Sequence, residues 1–314
     1  YRISEISLNN LGLSDLPTSI SYLDSLTTLD ISNNQLSDLP DAICSLDIID
    51  GPNFIFSKNH FCDASTLPPC ILEIINFTEQ KCDVAYEEDD FQFIQELIAP
   101  GITTMELDRE AEKFIRSKGA KPGFKGLYGY PATLCISIDD EVVHGIPNNR
   151  KLQDGEIVSI DVGSLIDGYY GDHAKSFAVG TVDSKKEKLM SVTRECLLDG
   201  IDHALPGNRI GDIGHAVQKK AESNGYGVVT ELVGHGIGTK LHEEPQIPNY
   251  GKPGTGPKIE VGMCFAIEPM INMGTPGVFT KKDGWTVCTN DGMPSAHFEH
   301  TITITEEGAK ILTI

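Results

Sequence analysis

The apolar positions of this 314-residue chain follow two different rhythms. In the opening segment they recur at a period of 23, with Leu8 and Ile31, Leu16 and Leu39, Pro17 and Pro40, Ile20 and Ile43, and Leu23 and Leu46 in register. Repetition at such an interval marks a stacked solenoid. In the second copy, LTTLDISNNQLSDLPDAICSL, a short strand is followed by Asn34, whose side chain is placed to bond backbone along the stack. A third copy is degenerate: Asn59 and Phe61 in FSKNHF mark its asparagine turn, and Leu67-Pro68 its closing turn. Such units bury their apolar face only against neighbours, so about three are needed for stability. This stretch is short by that measure, and it reads as the tail of a longer array or as a cap that leans on the next domain.

Between Asp83 and Asp90 the composition turns acidic and the first rhythm stops. A linker is predicted there, dividing the chain into residues 1–82 and 83–314. A second kind of repetition then begins. IAPGITTMELDREAEKFIRSKG, from Ile98 to Gly119, overlies ALPGNRIGDIGHAVQKKAESNG, from Ala204 to Gly225, at a constant offset of 106. Leu107, Ala111 and Ile115 follow i, i+4, i+8 spacing, Thr103 with Glu106 forms a capping box, and the closing glycines suit left-handed C-caps. Two equivalent amphipathic helices are predicted. At an offset of 107, LQDGEIVSID ending at Asp161 overlies IEVGMCFAIE ending at Glu268, each a glycine turn, an apolar strand and a closing carboxylate. The fold class is therefore α+β, a duplicated unit with pseudo-twofold symmetry and an active site between its halves.

Charge narrows the partners. A formal net charge of −21 disfavours both nucleic-acid phosphates and anionic lipid surfaces. No stretch approaches the roughly 20 apolar residues of a membrane span, and the first residues carry no signal-peptide pattern. The chain begins at Tyr1, not at a methionine, and is read as a fragment or a processed product. Eight cysteines fall into a crowded group, Cys44, Cys62, Cys70 and Cys82, and a scattered one, Cys135, Cys196, Cys264 and Cys288. The scattered four read as small buried hydrophobes. The crowded four allow disulfides whose connectivity sequence alone does not give.

The chemistry lies in the second part. In VSIDVGSLIDGYYGDHAKSF, alternation turns Asp161 away from Ile160 and Val162, and Asp172 follows after a hairpin turn at Asp167-Gly168. Two carboxylates facing each other across adjacent strands repel unless a cation lies between them. His235 in GHGIG, Glu268 in FAIEPM and Glu299 in HFEHTITI likewise stand beside glycine turns or inside apolar runs. Buried acids of this kind call for a partner or a metal. Four carboxylates and one imidazole suit a pair of divalent ions such as Co, Mn, Fe or Zn better than a structural zinc.

HGIP at His144, the Asp161 and Asp172 pair, HGIG at His235, HEEP at His242, EPM at Glu268 and the final Glu299 resemble, in order and spacing, the type I methionine aminopeptidases over roughly the last 230 residues. The resemblance implies the pita-bread fold and hydrolysis of the N-terminal methionine from peptides and nascent proteins, with a preference for a small second residue. It implies two divalent metal ions held by Asp161, Asp172, His235, Glu268 and Glu299, with Asp172 and Glu299 bridging. It also implies Glu268 as proton carrier, His144 and His242 in contact with substrate, and Tyr130, Cys135 and Trp285 in the wall of the methionine pocket. Leu241, Phe124 and Leu127 depart from the family's usual residues there, and the lead-in DDFQFIQELIAPG is shorter than the family's. The opening segment resembles a leucine-rich repeat, offering either a protein-binding surface or simple packing cover. A monomeric, cytoplasmic protein is expected. Two rival readings remain: an Xaa-Pro aminopeptidase or prolidase of the same fold, and a catalytically dead binding protein whose repeats recruit partners.

Overall fold

The computed structural model describes residues 89–313 without a break and, ahead of them, most of residues 4–56 together with residues 67–72. The chain divides into two compact units, Tyr1–Glu88 and Asp89–Ile314.

In the first unit, β1 (Glu5–Ser7), β2 (Thr28–Asp30) and β3 (Phe54–Ile55) form a parallel sheet in that order. Glu5 pairs with Thr28, a spacing of one 23-residue period. Short 3-10 helices at Thr18–Tyr22 and Asp41–Ser45 begin after Pro17 and Pro40, which stand at equivalent points of the period. Leu16, Ile20, Leu29, Ile31, Leu39 and Ile43 fill one core. Asn34 ties the turns together: its Nδ2 donates to the carbonyls of Leu8, Ile31 and Ser32, and its Oδ1 accepts from the amides of Leu11 and Leu13. Cys44 is disulfide-bonded to Cys70, the second residue of α1 (Pro69–Leu72), across a Cα separation of 5.8 Å. Asn59, Phe61, Cys62 and Cys82, and the whole acidic stretch before Asp89, lie outside the described residues.

The second unit opens with α2 (Asp89–Leu97) and α3 (Thr104–Ser117), followed by β4 (Lys121–Pro122), β5 (Leu134–Ile138), β6 (Glu141–Val143), and the long hairpin of β7 (Ile157–Ile166) and β8 (Tyr169–Ala178). Then come α4 (Ser184–Asp202), α5 (Ile210–Ser223), β9 (Gly227–Val228), β10 (Gly234–Gly236), β11 (Glu243–Ile247), β12 (Cys264–Ile267), β13 (Met270–Asn272), β14 (Val278–Thr280), β15 (Val287–Thr289), β16 (Ser295–His297), β17 (Glu299–Thr305) and β18 (Gly308–Ile311). The main sheet runs β11-β10-β12-β17-β8-β7-β4, with β18 on β17 and β5 on β7.

The duplication is visible in the helices, because α3 and α5 begin and end 106 residues apart. Thr103 caps α3 through the reciprocal box with Glu106, which satisfies two otherwise unpaired amides. Gly119 and Gly225 both follow the helix ends at φ +80°, a conformation glycine adopts without a Cβ penalty. Leu107 and Ala111 of α3 pack on Ile136, Val158 and Ile160 of β5 and β7. Leu197 and Ile201 of α4, with Ile210 and Ile213 of α5, pack on Phe265, Ile267, Ile302 and Ile304 of β12 and β17. The helices thus cover one face of the sheet, and strand alternation leaves Asp161, Asp172, Ala266 and Glu299 on the other.

The equivalence of the two acid-bearing strands is looser than the sequence suggests. Glu268 follows directly after β12, whereas Asp161 sits in mid-strand because β7 runs on to Ile166 to pair with β8. No helix among the described residues is long and apolar enough to cross a membrane.

Candidate metal centre and active site

Five neighbouring strands bring the predicted donors to one sheet face. Asp161 of β7 pairs with Ala174 of β8, and Ala174 pairs in turn with Glu299 of β17. Asp172, two residues along β8, is paired with Gly163. The two aspartates are therefore diagonal neighbours on one face, not directly opposed as the sequence suggested. Their register follows from the two-residue turn at Asp167-Gly168, which sets Ile166 against Tyr169. Thr301 fixes β8 to β17 here, its hydroxyl accepting from the Asp172 amide at 3.0 Å and donating to the Asp172 carbonyl at 2.8 Å.

His235 stands in the middle of β10, paired with Ala266 of β12. Its Nδ1 lies 2.9 Å from the Gly236 carbonyl. A carbonyl only accepts, so Nδ1 carries the proton and Nε2 presents a lone pair. That Nε2 is 3.7 Å from Asp172 Oδ2 and 3.6 Å from Glu268 Oε1. The backbone of Glu268 is held by Asn249, whose Nδ2 donates to the Glu268 carbonyl at 2.9 Å.

The electrostatics of this cluster are unfavourable as they stand. Asp161 Oδ1, Asp172 Oδ1 and Glu299 Oε1 are buried without a hydrogen-bond partner. Burial first, and neighbouring carboxylates second, hold Asp161, Glu268 and Glu299 well above the usual carboxylate range, and burial pushes Asp172 up to about 7. Burial also draws His235 down to about 4, leaving it neutral and free to ligate. Divalent cations would reverse this balance, and the donors fit them. Asp172, His235 and Glu299 form one group, and Glu268, His297 and Glu299 another, whose ligand atoms lie within 4.8 Å of one another. Oxygen-rich donors with one or two imidazoles suit borderline to hard divalent ions.

His144 and His242 stand beside these groups and belong to neither. His144 follows β6 in the left-handed backbone region, at φ 59°, the kind of strained placement that concentrates at functional sites. Burial, reinforced by His242, lowers it to about 4. His242 precedes β11, with its ring 4.5 Å from that of His235 and 6.0 Å from that of Tyr128.

A cavity of about 80 Å³ lies against the acids, lined by Tyr130, Cys135, Trp285, Phe124, Leu127 and Leu241 among others. Tyr130 is anchored by its hydroxyl, which donates to the Leu134 and Gly145 carbonyls, and its ring meets Trp285 edge-on at 5.1 Å. Cys135 pairs directly with Asp161 across β5 and β7. Phe124 reaches the wall only because residue 163 is glycine: a Cβ there would stand 2.4 Å from Phe124 Cε1. A wider cleft of about 880 Å³ shares His144, His235, His242 and Glu268 with this cavity and leads past β11.

Residues 84–306 match metallopeptidase family M24. The chain belongs to this family. A methionine aminopeptidase of Clostridium perfringens is 50% identical over 226 residues, covering 72% of this chain and 91% of that protein. The crystal structure of a methionine aminopeptidase from Rickettsia prowazekii superposes at a TM-score of 0.72 with 43% identity, over 73% of this chain and 93% of that one. A prolidase from Pyrococcus furiosus, 24% identical over 73% of this chain and 60% of its own, reaches a TM-score of 0.59 and shares the fold. As an M24 member the second unit has the family's α+β pita-bread fold.

The pattern of acids and glycine turns did not single out His297. It lies at the end of β16, 1% exposed, with Nε2 unpaired and 3.6 Å from Glu268 Oε2. It ends β16 while Glu299 opens β17, in a different sheet, so nearness in sequence was the available signal and periodicity offered none.

Proposed function

We infer that residues 83–314 form a divalent-metal-dependent aminopeptidase that hydrolyses the N-terminal methionine of peptides and proteins. The observation that carries this reading is the convergence of Asp161, Asp172, Glu268 and Glu299 with His235 on one cavity, in a chain 50% identical over 226 residues to a methionine aminopeptidase. Asp161, Asp172, His235, Glu268 and Glu299 would hold two ions of Co, Mn, Fe or Zn, with Asp172 and Glu299 shared. Glu299 belongs to both donor groups and Asp172 faces His235, which supports their shared roles. Such ions, when bound, lower the pKa of water and polarise the scissile carbonyl.

The chain's own groups do the rest. Glu268 takes the proton of the attacking water and returns it to the leaving amine. His242 donates a hydrogen bond to the carbonyl oxygen as it gains charge, and His144 contacts the scissile amide. Tyr130, Cys135 and Trp285 enclose the methionine side chain, while the acidic floor attracts the ammonium group of a free chain end. A preference for a small second residue is part of this reading. Cytoplasmic action on new polypeptides is part of this reading.

The first unit reads as a short leucine-rich-repeat segment, with the division between residues 82 and 83. The 23-residue period, the parallel strands and the Asn34 bonds support it. Its face is proposed as a surface for a protein partner, with simple packing within the repeats as the alternative.

An Xaa-Pro specificity is the weaker alternative, because the prolidase likeness carries the fold alone. A catalytically dead protein is weaker still, because every predicted donor converges on one sheet face. Steady-state hydrolysis of Met-Ala-Ser beside an Xaa-Pro peptide, on metal-loaded protein, tests the proposal: methionine release is expected, and cleavage of the Xaa-Pro peptide alone would replace it.

A further inference from the structure

Glu268 meets an imidazole at each carboxylate oxygen. His235 Nε2 is 3.6 Å from Oε1, and His297 Nε2 is 3.6 Å from Oε2. The first histidine is accounted for as a ligand, and the second has no role in the mechanism above. His297 is nevertheless built in firmly. Its amide donates to Ser176 Oγ at 2.9 Å, and its carbonyl accepts from the same hydroxyl at 3.0 Å. Met270 pairs with it from β13. A buried polar atom left without a partner is destabilising, and the acid nearest to this Nε2 is Glu268.

We propose that His297 is a positioning residue for Glu268, its Nε2–H aimed at Oε2 so that Oε1 is kept towards His235. This rests on the reading of Glu268 as proton carrier. A glutamate that must receive a proton from water and release it to an amine needs a fixed carboxylate plane, and a single-bonded stem does not supply one. A donor on the far oxygen does. The separation is a few tenths of an ångström wider than a hydrogen bond, within reach of a small rotation of either side chain. Within 4 Å, His235 Nε2 meets two acids, Asp172 and Glu268, whereas His297 Nε2 meets Glu268 alone.

The test compares the wild-type full chain with His297→Ala and His297→Gln, each loaded with Co(II). It reads metal content by elemental analysis, the visible spectrum of the bound Co(II), and kcat and KM on Met-Ala-Ser. Loss of a group that orients a ligand typically lowers activity about 10–100-fold, and that fall is expected in kcat for His297→Ala, with KM within about twofold. Both ions should remain, with the spectrum shifted. His297→Gln presents an N–H at similar reach and should recover kcat to within about threefold and restore the spectrum. Should His297→Ala fold poorly, His297→Leu takes its place at similar volume. Wild-type kcat and spectrum in the apolar variant would overturn the proposal, as would loss of one ion from both variants, which would make His297 a ligand instead. A wild type without peptidase activity would sink the aminopeptidase reading, and the Co(II) spectra would still decide the contact.

Discussion

Asp161 and Glu299 pair with the same residue, Ala174, from its two sides. Two acids are thereby set in one row across three strands with only a methyl group between them, and Asp172 stands two residues along the same strand and face. The space above Ala174, which is itself 1% exposed, is where the carboxylates converge. Replacing it with Val keeps the strand preference but puts two further carbons among the acids. Ala174→Val is expected to weaken metal binding by about 10–100-fold, the range seen when groups around ligands are disturbed, with the fold retained. Calorimetric metal titration beside circular dichroism checks this, and unaltered affinity would show that the row does not border the ions.

The metal-stripped protein should respond to pH in an unusual direction. Asp161, Asp172, Glu268 and Glu299 are all held above the ordinary carboxylate range, mainly by burial, with Asp172 at about 7. An acid raised in this way favours folding when protonated. That contribution is complete below the unfolded carboxylate range and is lost as pH rises through the folded values. The stripped protein should therefore melt at a higher temperature near about pH 5.5 than near about pH 8. Metal-loaded protein should do the reverse, because protons compete for the ligands. Parallel thermal melts of the two forms suffice, and identical profiles would count against a shared acidic site.

Much of this arrangement is legible in the sequence. The offset between Thr104–Ser117 and Ile210–Ser223 is the offset of the sequence repeat, because helix period, cap and closing glycine are local properties. Five candidate donors could be named because acids in apolar runs are seldom buried without a partner or a metal. The diagonal relation of Asp161 and Asp172 was readable in principle from the Asp167-Gly168 turn, yet strand patterning alone gives a face and not a register. His297 escaped because a histidine in an apolar strand is usually just a packed one. The pairing of Cys44 with Cys70 could not be read at all, since four cysteines permit three connectivities.

In the first unit Asn34 satisfies five backbone groups. Asn34→Ala removes them together, and the unpaired amides and carbonyls should lower stability by about 2–3 kcal/mol. Chemical denaturation of the full chain, followed by a probe on this unit, measures it. A change below about 0.5 kcal/mol would show that the side chain does not hold the turns together.

His235 and His242 should fail differently. His242 borders the donors without joining them, so His242→Ala should lower kcat by about 10²–10³, as loss of an oxyanion donor does, while leaving metal content intact. His235→Ala should lose occupancy of an ion, because its Nε2 faces Asp172 and Glu268 together. Elemental analysis of both variants separates the roles, and the opposite pattern would exchange them.

The most direct test strips the protein with a chelator and restores Mn, Co or Fe stepwise while following release of methionine from Met-Ala-Ser. Bound ions would supply a hydroxide near neutral pH and polarise the scissile carbonyl, and the account assigns hydrolysis to them. Activity is expected to vanish on stripping and to return as up to two equivalents are added. Full turnover by the metal-free protein would contradict the account.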